Sequence, residues 1–220
     1  MGDLSSSAFP QDKTQARSET ATLLGHVMFL VAIALGFLTA GALIGQDLSQ
    51  GTSLICFLAG FGMLLLQAFG GERFRVGTFA IGWLYAIALL LGLGIGPTIG
   101  YFLENDGTVL TQAAGCTALI TLGMGAGGYA LSKDISGWMK PLTYIILGCV
   151  AVSFVMLIFS SGGNPILSAI IGIVSALLIA VDFNYLRKHG TQNDAVWLAT
   201  GIFVSIVNIF LSLLNIFGGD

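Results

Sequence analysis

The groups able to do chemistry in this sequence are few, and they fall in two rows. Ser168, Ser175 and Asp182 are spaced by seven, Asn164 extends the same face, and Gly172 opens the side next to it. Further along, Asp194, Gly201, Ser205, Asn208, Ser212 and Asn215 fall within about 80° of arc when wound at about 100° per residue. The rest of that second segment is almost all Val, Leu, Ile, Phe, Ala and Trp. Hydroxyls and amides at this spacing suit hydrogen bonds from helix to helix. They equally suit the wall of a polar path, where a carboxylate adds the power to hold a proton or a cation.

Asp182 is the one acid placed inside the bundle by this pattern. It stands near the C-terminal end of its segment, where a negative charge opposes the helix dipole, so capping does not account for it. Arg187 and Lys188 follow five and six residues on and miss the spacing that pairs side chains along one helix. The candidate partners at the same end are Arg73, Arg75, His26, Ser205 and Asn208. The plainer alternative is an interfacial acid bathed by water. His26 and His189 both fall at segment boundaries, and no His, Cys, Asp or Glu are grouped at metal-ligand spacing, so neither metal nor cofactor is expected. Cys56, Cys116 and Cys149 lie in apolar runs without a CxxC and read as small core residues.

Catalysis is not expected either. The last segment, 194–218, has no Lys for a Schiff base, and both His sit at the edges, away from where intramembrane serine proteolysis needs one. "GFGMLLLQAFGGER" is not a phosphate-binding loop after a strand.

The elements that carry these rows follow from composition. The chain is 55% hydrophobic and 9% charged, against about 25% charge in a soluble domain. Its polar groups cannot cover a globular surface, so it belongs in a lipid bilayer. No basic block points to nucleic acid. A helix crosses the hydrocarbon core with about 20 apolar residues. Seven stretches qualify: 23–45, 51–70, 77–103, 108–131, 137–160, 164–186 and 194–218. The expected fold is all-α, a polytopic bundle of seven transmembrane helices in residues 23–220. A flexible cytoplasmic tail, 1–22, precedes it. "MGDLSSS" also fits the short myristoylation pattern at Gly2 and Ser6, though a polytopic chain needs no lipid anchor.

Charge sets the expected orientation. With the N-terminus inside, the inner segments hold Lys13, Arg17, Arg73, Arg75, Lys133, Lys140, Arg187 and Lys188, which are all 8 basic residues. The outer loops hold Asp47, Glu104 and Asp106 and no base. Gly41/Gly45, Gly96/Gly100 and Gly123/Gly127 are small pairs suited to close helix packing. Pro97 is expected to break or kink the third span. The polar stripe of the last span must face protein or water, which puts that helix in the interior with its stripe turned towards the row on span six.

At "FVSIVNIFLSLLNIFGG", residues 203–219, the sequence resembles the Bax inhibitor-1 family, and within it the bacterial YccA branch. The likeness continues in "LGLGIGPTIGYFL", "GCTALITLGMGAGGYALSKDISGW" and "DFNYLRKHGTQND" and spans most of residues 23–219. The resemblance implies a bundle whose last helix is enclosed by six others. It also implies a multi-pass protein of the bacterial inner membrane with a cytoplasmic N-terminus. The branch implies a modulator or substrate of the membrane-bound, ATP-dependent FtsH-type protease. The wider family implies the alternative, a pH-sensitive leak for calcium or another cation, sensed by two aspartates. Asp182 matches the first of these, while Ser205 stands where the second would be. Asp182, Ser205, Asn208, Arg75 and Arg73 are thus the candidate sensor or gate, with Ser168, Ser175, Ser212 and Asn215 as the polar seam. A carboxylate and a hydroxyl can share a hydrogen bond but cannot titrate as a coupled acidic pair.

Overall fold

The computed structural model describes residues 10–159 and 164–219. It is built of helices α1 (Pro10–Ile44), α2 (Gln50–Phe69), α3 (Thr78–Asn105), α4 (Gly107–Ala130), α5 (Met139–Phe159), α6 (Pro165–Lys188) and α7 (Ala195–Phe217). Among the described residues there is no strand. A chain in hydrocarbon has to bond its backbone to itself, and the helix does this within each segment. The ends are closed by side chains. Ser49 accepts from Thr52 N before α2, Asp106 from Thr108 N and Val109 N before α4, and Asn164 from Ile166 N and Leu167 N before α6.

Among the described residues, six helices are long and apolar enough to cross a membrane, spanning Arg17–Ile44, Gln50–Phe69, Thr78–Asn105, Gly107–Ala130, Pro165–Lys188 and Gln192–Phe217. The chain is a multi-pass membrane protein, and these helices imply a bilayer around them. The fifth of the seven expected stretches is occupied by α5, with 21 residues, which is not among the six. α1 starts at Pro10, ahead of the span expected from 23, because Gln, Lys, Ala, Arg and Glu continue the helix in front of the apolar run. Of the expected tail, residues 1–9, with Gly2 and Ser6, lie outside the described residues.

The helices form two groups of three with the last between them. α3 packs on both α1 and α2, α6 packs on both α4 and α5, and α7 contacts α1, α3, α4 and α6. Ile216 is the one exposed residue of α7. Its Ile202 and Phe203 are fully buried with Val27 of α1 and Leu84 of α3 in the main apolar core. A smaller core joins Leu142 and Ile146 of α5 to Val174, Leu178 and Val181 of α6.

Several helix crossings depend on glycine; on α3, a Cβ at Gly94 would stand 2.8 Å from the Phe57 backbone of α2, and the crossings of α1 with α3 and α4 with α6 are closer still. On α1 and α3, a Cβ at Gly41 would stand 2.5 Å from the Leu89 carbonyl oxygen, and one at Gly92 would stand 2.2 Å from that of Leu38. No side chain fits there. Gly45 and Gly96 meet in the same crossing, with Gly100 against Gln46, in line with the small pairs of the sequence. On α4 the pairing differs from expectation. Gly123 and Gly127 have nothing within 4 Å, and the contact with α6 falls to Gly128, where a Cβ would stand 2.1 Å from the Ala180 carbonyl oxygen. The four-residue spacing was met by a pair on the wrong face of the helix. Pro97 does not break α3, which runs through it. The Leu93 carbonyl, which Pro97 leaves without its helical donor, lies against Gly45 instead.

Candidate functional site

Asp182 sits in the last two turns of α6 and is only 6% exposed. Its carboxylate is turned to α7, where a Cβ at Gly201 would stand 3.2 Å from Oδ2. The absent side chain of Gly201 makes the room. The carboxylate borders a cavity of about 220 Å³ between α2, α3, α5, α6 and α7. The walls are mostly apolar, with Phe57, Phe61, Leu91, Met139 and Leu178 prominent. Polar groups come from Gln67 of α2, Thr143 of α5, and Thr200, Ser205 and Asn208 of α7. Asp182 is the one charged residue in the lining. Among the described residues the single ion pair is His189 with Asp134, so no cationic side chain offsets Asp182.

Gln67 was not singled out from the sequence. It is 2% exposed, its Nε2 donates to Thr200 Oγ1 at 2.9 Å, and Thr200 in turn donates to the Val196 carbonyl at 2.8 Å. Its Oε1 is buried and has no hydrogen-bond partner. The available signal was a lone amide near the end of the apolar run 51–70.

The structure divides the other candidates. Ser205, 3% exposed, and Asn208 share the cavity with Asp182. Arg75 instead donates to the Ala68 carbonyl at 3.2 Å, and Arg73 lies over the Phe79 ring at 4.9 Å. Both belong to the tight turn around Glu72–Phe74, which folds back on the end of α2, where a free carbonyl attracts a base. His26 Nδ1 lies 3.5 Å from Gln192 Oε1, also away from the carboxylate. The seam between α6 and α7 is joined at its far end, where Ser168 donates to Asn215 Oδ1 at 3.0 Å. Ser212 is buried against Gly172, and the buried Ser175 hydroxyl has no partner.

On the opposite face of α6 a second polar group holds the α4–α5 connection. Asn184 is fully buried, accepts from Ile135 N at 2.9 Å, and donates to the carbonyls of Gly128 (3.1 Å), Leu131 (3.3 Å) and Lys133 (3.1 Å). Arg187 donates to the Leu131 carbonyl at 2.7 Å, and Lys188 to that of Ser132. Beyond them, His189 Nε2 is 2.6 Å from Asp134 Oδ2. Asp134 also accepts from its own backbone neighbour, Ser136 N, and that bond, followed by the one with His189, holds its carboxyl below the usual carboxylate range. Arg187 and Lys188 therefore cap loop carbonyls, His189 pairs with Asp134, and none of the three is turned to Asp182.

The sequence has bacterial relatives. The family described as "Inhibitor of apoptosis-promoting Bax1" matches residues 20–220. An uncharacterized protein of Pseudomonas aeruginosa is 27% identical over 207 residues, covering 91% of this chain and 90% of its own. An uncharacterized membrane protein of Vibrio cholerae is 26% identical with the same coverage, and one from Streptococcus pyogenes is 30% identical over 122 residues, covering 50% of this chain and 52% of its own. With a family match over nearly its whole length, the chain belongs to the Bax inhibitor-1 family.

Proposed function

We propose that this chain is a regulatory membrane protein of the bacterial inner membrane whose working part is Asp182, acting as a proton-sensitive cation leak. The observation that carries this reading is the carboxylate itself, 6% exposed on a cavity wall with no other charged group in the lining. A carboxylate taken out of water requires a positive partner. Where the protein supplies none, a proton and a mobile cation compete for the place. Protonation then displaces the cation and slows its passage. α5 would be the seventh crossing. The basic turns 71–76, 131–135 and 187–190 share one end of the bundle, which supports assigning that end to the cytoplasm.

The test is cation flux from liposomes holding the purified chain, measured across pH for wild type and Asp182→Asn. The reading expects flux that falls as pH falls, and no pH response in the variant. Wild-type flux that is absent or indifferent to pH would sink it.

A second reading, binding to an FtsH-type protease as modulator or substrate, draws on the branch likeness and on one observation. α1 starts at Pro10, ahead of its apolar run, with Arg17, Ser18 and Glu19 exposed in front of that run, and offers an end for a protease to grip. Deleting residues 1–16 and following protease-dependent turnover tests it; unchanged turnover would count against that role.

A further inference from the structure

We propose that Gln67 completes the Asp182 site and that the site takes a singly charged cation, such as sodium or potassium, in preference to a divalent one. This deepens the leak reading and rests on it. The first observation is the unbonded Gln67 Oε1, on a residue 2% exposed that lines the same cavity as Asp182. A buried amide oxygen without a donor is an open position for a cation or a water. The second is how the amide is held. Its Nε2 is fixed on Thr200, the neighbour of Gly201, against which the Asp182 carboxylate is seated. One turn of α7 thus positions both groups, and the donor bond leaves the amide oxygen as the free acceptor.

The third observation is the charge count. The lining has one carboxylate, and its remaining oxygen donors, from Gln67, Thr143, Thr200, Ser205 and Asn208, are neutral. Among the described residues no group of three or more His, Cys, Asp and Glu could hold a metal. Calcium sites set their affinity by the number of charged ligands. One carboxylate neutralises one positive charge, so a divalent ion here would keep an uncompensated charge in an apolar enclosure. A sodium or potassium ion would not.

The experiment uses the full chain in liposomes with indicators for potassium, sodium and calcium. Each variant is first checked for an unchanged unfolding midpoint in detergent. Wild type is expected to pass a monovalent ion faster than calcium. Gln67→Leu should lower monovalent flux about tenfold, the lower end for losing a supporting partner at a cation site. Gln67→Glu adds a second carboxylate in nearly the same volume and should shift the preference towards calcium. Calcium passing fastest in wild type, or Gln67→Leu behaving as wild type, overturns the inference while the leak reading stands. No flux of any cation overturns both. Should Gln67→Leu unfold, the Gln67→Glu comparison decides alone: an unaltered ion order in that variant overturns the proposal.

Discussion

Replacing Asn184 by Leu keeps the branched outline of a fully buried side chain, with somewhat more bulk, and removes its four hydrogen bonds. The cost is set by the groups left behind. The Lys133 carbonyl belongs to an exposed residue and can turn to water, and the Leu131 carbonyl keeps Arg187. The Gly128 carbonyl, in a buried turn of α4, loses its partner in a site shielded from solvent, and the Ile135 N–H loses its partner in a half-buried one. Two such groups at about 1–3 kcal/mol each give a loss of about 2–4 kcal/mol, once some relaxation is allowed. Unfolding in mixed micelles, followed by far-ultraviolet circular dichroism, measures the loss. Hydrogen exchange over residues 131–138 locates it, and those amides should exchange faster than the rest. Asn184→Asp should be at least as costly, because a carboxylate would face three carbonyl oxygens. A loss below about 0.5 kcal/mol with unchanged exchange in the loop would refute the reasoning, since that is well under the cost of one unsatisfied buried group.

Glycine substitutions should separate by face. Gly128→Ala, whose Cβ would meet the Ala180 carbonyl oxygen at 2.1 Å, should destabilise by about 1–3 kcal/mol. Gly123→Ala, with nothing within 4 Å, should stabilise α4 by up to about 1 kcal/mol in the same unfolding assay. Asp134 has its carboxyl held below the usual range, so its contribution is fully present above the ordinary carboxylate pKa and is lost only as pH falls through the depressed value. Exchange in the 131–138 loop should therefore stay slow in mild acid and rise only in strong acid, whereas Asp134→Ala should raise it already at neutral pH. Ser168→Ala removes the bond to Asn215 and should cost about 0.6–2 kcal/mol, with no change in flux, because it lies at the far end from Asp182.

Much of the fold was legible because hydrocarbon leaves few choices. Long apolar runs have to be helices, and the polar stripe on the last one has to be enclosed, as α7 is. The site was legible as far as Asp182, Ser205 and Asn208, whose spacing puts them on facing stripes. Arg73 and Arg75 went elsewhere because a base near a helix end is drawn to free carbonyls, and sequence spacing carries no trace of how a tight turn folds back. Gln67 and Asn184 were missed for a related reason. Each is a lone polar residue without a periodic companion, and its partners, Thr200 in one case and three loop carbonyls in the other, lie far off in the chain. Gly128 shows that small-residue spacing marks that a crossing exists without marking its side.

The α3–α4 connection is a single residue, Asp106, whose N–H closes α3 on the Phe102 carbonyl and whose carboxylate caps α4. It fastens the two three-helix groups at the end where Ser168 meets Asn215 and Phe102 meets Gly218. With no slack there, any relative movement of the two groups would have to be a swing about that end. Like the jaws of a clothes-peg, they would travel farthest at the opposite tip, and that tip holds Gln67 in one jaw and Asp182 in the other.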